Sequence, residues 1–265
     1  MSSRESGPAV VVGIDGSRAA LHAALWAVDE AAARDVPLRL VYVIESPPVS
    51  GGIAGHQAAA RAALFDTQQA IRATGKQVAV DTEILWGKPL TKLMQESRSA
   101  SMICVGSMGR NHAHSGEGSV AGALAGSSLC PVAVIHRSSD GTTTPAIRRV
   151  VAEADNGAVL RHAFQEARLR GVPLRAVSVQ PTHAHDAPGD GNQVAQTQLD
   201  RRLTRWTRLY PDVRVESAIV RGRGGRYMAD NEGPGQLFVT DAHAAQVRSV
   251  YNAGSSVLTV RCGNL

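Results

Sequence analysis

The chain has 265 residues, of which 43% are hydrophobic and 19% are charged, and its formal net charge is +5. These values exclude a wholly disordered chain, and no apolar run reaches the roughly 20 residues of a membrane-spanning helix. The basic excess lies after residue 140, where every basic residue is an arginine spread over predicted helix faces rather than gathered in a stripe with aromatic residues. We therefore expect neither a nucleic-acid partner nor a membrane partner.

Cysteine usage and the first residues indicate the compartment. The segment Met1–Pro8 has no apolar stretch of the kind that a secretory signal needs. The three cysteines, Cys104, Cys130 and Cys262, are scattered and form no Cys-x-x-Cys pair, which disfavours a disulfide framework or a structural zinc site. We expect a cytoplasmic protein.

Apolar, β-branched segments alternate with amphipathic segments along the first half of the chain. The predicted strands are Ala9–Ile14, Leu38–Ile44, Val78–Leu85, Met102–Val105 and Val132–Ile135. The predicted helices between them are Ala19–Arg34, Ala58–Thr74, Leu90–Ser99 and Ser119–Ser128. Because strands joined by helices need parallel crossovers, this order predicts a parallel sheet with helices on both faces.

The second half of the chain repeats the first. The segment Val-Pro-Leu-Arg at residues 36–39 recurs at residues 172–175, and Val10–Asp15 is echoed upstream by Val150–Asp155. We therefore predict two tandem domains, residues 8–137 and 147–262, joined by a loop rich in serine and threonine.

Two features of the first copy stand where a predicted strand ends, which is where open α/β sheets bind ligands. Asp15 follows the first strand, and a glycine loop with Gly106 and Gly109 follows the fourth. Gly118 and Ser119 then open a helix. Glycines let the backbone approach phosphates, and the free N–H groups at a helix N-terminus favour an anion. The pattern occurs at phosphate sites and also in glycine-rich loops that bind no ligand, so both interpretations stay open on these residues alone.

Residues 8–136 resemble the universal stress protein family, and the second copy looks like the same domain. The motifs that carry the resemblance are Val12–Ser17, Gly87–Pro89, Val105–Gly109, Gly118–Ser119 and Cys130–Val132. The whole chain is thus similar to the tandem members of actinobacteria and mycobacteria. The resemblance implies two Rossmann-like α/β domains, each a five-stranded parallel sheet of order 3-2-1-4-5, and ATP as a ligand, with Mg²⁺ as its companion ion.

The resemblance also implies which residues bind the nucleotide. These residues are Gly13, Asp15, Val43, Gly106, Gly109, Gly118, Ser119 and Val120. Asp15 would contact the adenosine moiety, the backbone of Val43 would contact adenine, and the glycine loop would hold the phosphates. One departure from the family pattern is that eight residues, rather than nine, separate Gly109 from Gly118. The loop 110–117 is therefore one residue shorter.

The second copy lacks the counterpart of the glycine loop. From Val105 to Val132 the first copy runs 27 residues, whereas from Val239 to Val257 the second runs 18, and no glycine pair follows Val239. We predict that the second domain is degenerate and binds no nucleotide.

No metal site and no catalytic residue is expected. His112 and His114 are two residues apart, as are His183 and His185, but third and fourth ligands of suitable spacing are missing, which favours solvated loop histidines. The chain has no Walker phosphate-binding motif and no arrangement typical of a nucleophile with its base. Without a general base, rapid ATP hydrolysis is not expected, so we predict a protein that is not an enzyme.

Two functions remain open at this point. The first is an ATP-binding stress-response and signalling module that acts through its N-terminal domain on an unidentified protein partner. The alternative is an interaction protein of the same fold that binds no nucleotide. The short edge strands Val132–Ile135 and Val257–Val260 predict that the two halves pair as an intramolecular pseudo-dimer. The family resemblance suggests a homodimer as a further step.

Overall fold

The structure is a computed structural model that describes residues 8–45, 53–107, 120–136, 147–180, 190–221, 235–242 and 255–261. The chain divides into two compact units, residues 1–145 and residues 146–265. Within the described residues, no helix combines the length and the apolar character needed to cross a membrane.

The described residues of the first unit form five strands that alternate with four helices. Its strands are β1 (Val10–Ile14), β2 (Leu38–Ile44), β3 (Val80–Trp86), β4 (Met102–Gly106) and β5 (Val132–Ile135). Its helices are α1 (Arg18–Arg34), α2 (Ile53–Ala73), α3 (Pro89–Glu96) and α4 (Val120–Ser127). All neighbouring strands are parallel, in the order β3-β2-β1-β4-β5, which confirms the expected 3-2-1-4-5 sheet.

Helices cover both faces of this sheet. In β1, Val10, Val11 and Val12 are all buried, whereas a sheet with one face in water would alternate buried and exposed residues. A Cβ on Gly13 would approach Leu93 of α3, and a Cβ on Gly106 would approach Ala19 of α1. Because these two glycines point to opposite faces of the sheet, α1 and α3 pack on opposite sides.

Local signals fix the two ends of α1. The Ser17 hydroxyl accepts a hydrogen bond from the Ala20 N–H at 3.1 Å, which satisfies a donor that the first turn would otherwise leave free. At the other end Asp35 adopts a left-handed conformation with φ of 52°, and its N–H bonds the carbonyls of Ala31 and Ala32. The buried face of α1 is largely alanine, so the helix lies close against the sheet.

The second unit repeats the arrangement of the first. Its strands are β6 (Arg149–Glu153), β7 (Leu174–Gln180), β8 (Val215–Arg221), β9 (Gln236–Asp241) and β10 (Ser256–Val260). Two helices are described, α5 (Gly157–Arg170) and α6 (Asp190–Leu209). The strands are again parallel and run β8-β7-β6-β9-β10, so the same 3-2-1-4-5 order holds in both copies.

Three elements of the first unit have a boundary that differs by two or more residues from the one expected from the sequence, and one of them is helix α3, which ends at Glu96 rather than Ser99. Helix α2 begins at Ile53 rather than Ala58. The sequence did not predict this start because the first turn is largely exposed and the apolar spacing of the buried face begins only at Ala60. Strand β3 begins at Val80 rather than Val78 and reaches Trp86. The predicted pairing of the two edge strands stays a prediction.

Candidate functional site

A fork opens between β1 and β4 at the carboxyl edge of the first sheet. The two strands pair only as far as Val12 and Cys104, although β1 continues to Ile14 and β4 to Gly106. From β1 the chain leads into α1 on one face, whereas α4, which follows β4, packs with α3 on the other. Neighbouring strands whose connections leave on opposite faces form the crevice in which open α/β sheets bind ligands.

Asp15 stands at the end of β1 and shapes the turn into α1. Its Oδ1 accepts a hydrogen bond from the Ser17 N–H at 2.9 Å, and Gly16 between them has a φ of 78°. A side chain at residue 16 would be strained in this left-handed conformation, so glycine is required there. The turn holds the Asp15 carboxylate, which is partly buried, at the mouth of the fork.

Val43 of β2 lies one residue beyond the last pair of the ladder between β1 and β2. The ladder between β1 and β2 ends where Ile14 pairs with Tyr42, one residue earlier. Backbone groups of a parallel strand alternate between its two neighbours, and the Pro37 carbonyl accepts from β1 whereas the Leu38 N–H donates toward β3. By this alternation the backbone of Val43 faces β1, and its carbonyl lies beyond the last residue of that strand.

Gly106 is held by the packing of β4 against α1. A Cβ at this position would lie 2.6 Å from the Ala19 carbonyl carbon and 2.8 Å from the Ala20 nitrogen, and both are backbone atoms. Gly13 is less crowded, since its Cβ would meet side-chain atoms of Leu93 and Val105 at 3.2 Å. The structure therefore gives Gly106 a packing role, which is separate from the phosphate contact that the sequence predicted for it.

The rest of the predicted phosphate loop is mostly outside the described residues. Gly109, Gly118 and Ser119 lie in that part, whereas Val120 is the first residue of α4 and is partly buried. The structure thus brings Gly13, Asp15, Val43 and Gly106 to one edge of the sheet. The site residues named by resemblance remain predictions.

Ser107 is a residue of this edge that the sequence reasoning did not single out. It directly follows Gly106, its N–H donates to the Ile135 carbonyl at 2.9 Å, and its buried Oγ has no hydrogen-bond partner among the described residues. Its place within the motif Gly106–Gly109 was the available signal. Its burial could be known only from the fold.

The equivalent edge of the second unit is occupied by its own side chains. Asp155, which follows β6 as Asp15 follows β1, forms an ion pair with Arg202 of α6. The Ser178 hydroxyl lies 3.4 Å from the same Asp155 oxygen, at hydrogen-bonding distance. The counterpart of Asp15 in the second unit thus contacts two side chains of its own unit.

Acidic side chains gather at this second edge. Burial raises the pKa of Glu153, at the end of β6, and the charges of Asp155 and Asp241 raise it further. One Glu153 carboxylate oxygen is buried and accepts no hydrogen bond within the described structure. Asn156 caps α5 and also donates to Asp241 at 3.2 Å. An edge of this charge disfavours anionic ligands such as phosphates.

Within the described ranges, no group of three or more histidine, cysteine, aspartate or glutamate side chains could hold a metal ion. The paired histidines at 112 and 114 and at 183 and 185 lie outside those ranges. The expectation of no metal site therefore stays a prediction.

Comparisons with known proteins agree with this architecture. Residues 8–136 match the model of the universal stress protein family. A universal stress protein of Mycobacterium tuberculosis is 59% identical over 268 residues, which cover 100% of both chains. Another from the same organism is 43% identical over 243 residues, covering 86% of this chain and 84% of the relative.

A solved structure shows the same fold at low sequence identity. The crystal structure of a universal stress protein from Archaeoglobus fulgidus matches with a TM-score of 0.70 and 14% identity, covering 97% of each chain. At this identity the likeness concerns the fold alone.

Proposed function

This chain belongs to the universal stress protein family, and from that premise we propose that its first unit binds one adenine nucleotide, ATP, in the fork between β1 and β4. Binding would make the protein a stress-response and signalling module without catalytic chemistry. The two units, taken as domains 8–137 and 147–262, would have different roles, since only the first retains the glycine loop.

The observation that carries this proposal is the geometry of the fork. Asp15 is held there by its bond to the Ser17 N–H, and a carboxylate accepts hydrogen bonds from ribose hydroxyls. The backbone of Val43 faces the end of β1, where its carbonyl, which lies beyond the last residue of that strand, can accept a hydrogen bond from the edge of a base. The two groups stand on neighbouring strands at the point where α/β sheets bind ligands.

The second unit would bind no nucleotide, for two independent reasons. Its connection between the last two strands, from Asp241 to Ser256, spans 15 positions, eleven fewer than the 26 from Gly106 to Val132, where the phosphate loop would lie. At its carboxyl edge Asp155 is engaged by Arg202, and Glu153 and Asp241 add negative charge. This unit would instead support the fold or contact a protein partner.

The alternative is an interaction protein of the same fold without a nucleotide, and the shortened loop 110–117 favours it. Mass spectrometry of small molecules released from the purified, denatured protein separates the two. Adenine nucleotide released in about equimolar amount supports the proposal. Absence of nucleotide together with no binding of added ATP supports the alternative.

Isothermal titration of the full chain with ATP, with and without Mg²⁺, gives the stoichiometry. We expect one ATP per chain with a Kd in the micromolar range, about −8 kcal/mol. Radioactive ATP incubated with the protein should show no turnover above the buffer blank. A stoichiometry of two would contradict the assignment of the second unit.

Equivalent substitutions in the two copies provide a matched control. Asp15→Asn keeps an oxygen that can accept from the Ser17 N–H but removes the charge, and we expect it to weaken binding. Asp155→Asn makes the same change at the end of β6 and should leave binding unchanged. If only Asp155→Asn lost affinity for ATP, the nucleotide site would lie in the second unit, which would contradict the proposal.

A further inference from the structure

Ser107 carries a buried hydroxyl without a partner at the carboxyl end of β4. Its Oγ makes no hydrogen bond within the described structure, and its backbone N–H is bonded to the Ile135 carbonyl at 2.9 Å. The residue is therefore fixed to the sheet. Burial of a hydroxyl without a partner destabilises a protein, so an orphan of this kind calls for an explanation.

By position along the two strands, Ser107 is the counterpart of Asp15. Counting the register onward from Val12 and Cys104 puts Ser107 opposite Asp15 across the fork. The bond to Ile135 continues the ladder between β4 and β5, so side chains still alternate there and Ser107 shares the face of Val105. Val105 on that face lies against Gly13, which is two residues before Asp15.

We propose that the Ser107 hydroxyl binds the ribose of the nucleotide across the fork from Asp15, an inference that rests on the function proposed above. A ribose hydroxyl can donate to the Asp15 carboxylate and accept from the Ser107 hydroxyl, whereas a phosphate can only accept. The orphaned Ser107 Oγ gains its missing hydrogen bond when the ligand enters. Ser107 thus weakens the empty protein and strengthens the complex.

The test compares Ser107→Ala with Ser101→Ala in the full chain. Ser101 precedes β4 at its amino end, and its N–H donates to the Ala9 carbonyl at 2.8 Å, so the control changes a serine at the opposite end of the same strand. We expect Ser107→Ala to weaken adenosine and AMP by the same factor, about five- to tenfold. The same variant without ligand should melt about 2–4 °C higher, because the orphaned hydroxyl is gone.

Each other outcome has a definite meaning. Equal affinity of the Ser107→Ala variant and the unmodified protein would overturn the proposal, as would a lower melting temperature of the empty variant, which would reveal a partner inside the protein. Weaker binding of AMP but not of adenosine would overturn the ribose assignment. If the unmodified protein bound neither ligand, the proposed function itself would fail. The titration of that protein shows this before any variant is compared.

Discussion

Glu30 and Glu166 occupy the same position in the two copies, each fully buried on the first helix of its unit and six residues before the shared Val-Pro-Leu-Arg segment. Each is paired with an arginine one turn later, Arg34 in the first copy and Arg170 in the second. A buried charge is costly without its partner. The pair persists in both copies although the glycine loop does not, so we assign it to folding rather than to ligand binding.

Arg170→Met is expected to lower the free energy of unfolding by about 3–5 kcal/mol, because it leaves the Glu166 carboxylate without the guanidinium that lies 3.1 Å away. Arg168→Met, on the same helix, removes the exposed pair with Asp212 and the contact of the guanidinium with the Tyr210 ring, and should cost about 1 kcal/mol. Urea unfolding of both variants measures the difference. Equal costs would show that the buried charge is compensated elsewhere.

Gly106→Ala is expected to destabilise the first unit by about 1–3 kcal/mol, since its Cβ would overlap the backbone of α1 at Ala19 and Ala20. Gly126→Ala, in α4, meets no atom within 4 Å and should stabilise the helix by about 0.5–1 kcal/mol. Thermal denaturation of the two variants should therefore give shifts of opposite sign. If Gly106→Ala left the melting temperature unchanged, α1 would have to shift away from β4 easily to make room for the added methyl group.

Glu153→Gln is expected to stabilise the second unit at neutral pH. Burial, with the nearby carboxylates of Asp155 and Asp241, holds the pKa of Glu153 above that of an unfolded chain. The stability contributed by its protonated form is fully present below the unfolded pKa and is lost as the pH rises through the folded-state pKa. Chemical unfolding between pH 4 and 8 should show this decline in the unmodified protein and less of it in the variant. Glu83→Gln, at an exposed position of β3, should leave the profile unchanged.

The Cys130 thiol is expected to react slowly with alkylating reagents in the folded protein. Burial raises the pKa of the Cys130 thiol, so little of the reactive thiolate is present near neutral pH. Cys130 is also only 8% exposed, which limits access of the reagent. Iodoacetamide labelling followed by peptide mass spectrometry resolves this cysteine, and guanidinium-unfolded protein is the control. Labelling of Cys130 at equal rates in both states would contradict the burial.

The strands of the first copy could be predicted from their apolar, β-branched segments, whereas their order in the sheet was implied only by the resemblance to a known family. The start of α2 could not be predicted, since Ile53 and the residues after it are exposed and leave no apolar spacing to read. Helix propensity alone extends that helix beyond its buried face. The sequence therefore predicted helix α2 itself but not its first residue.

Parts of the site depend on contacts between residues far apart in sequence. Asp15 and Gly106 were found from their places at strand ends, but the crowding of Gly106 by Ala19 requires the packed helix. Likewise the pairing of Asp155 with Arg202 joins residues 47 positions apart. Nothing in the local sequence of either residue indicates the other.

The contact of Gly106 with α1 also has a mechanical consequence. A Cβ at Gly106 would meet the backbone of Ala19 and Ala20 and the Ala19 methyl group, so no long side chain separates the end of β4 from the first turn of α1. A displacement of the end of β4 would therefore also move α1, a helix of 17 residues. A ligand that bound in the fork and shifted the end of β4 would therefore be expected to change the environment of α1, whose buried face is largely alanine.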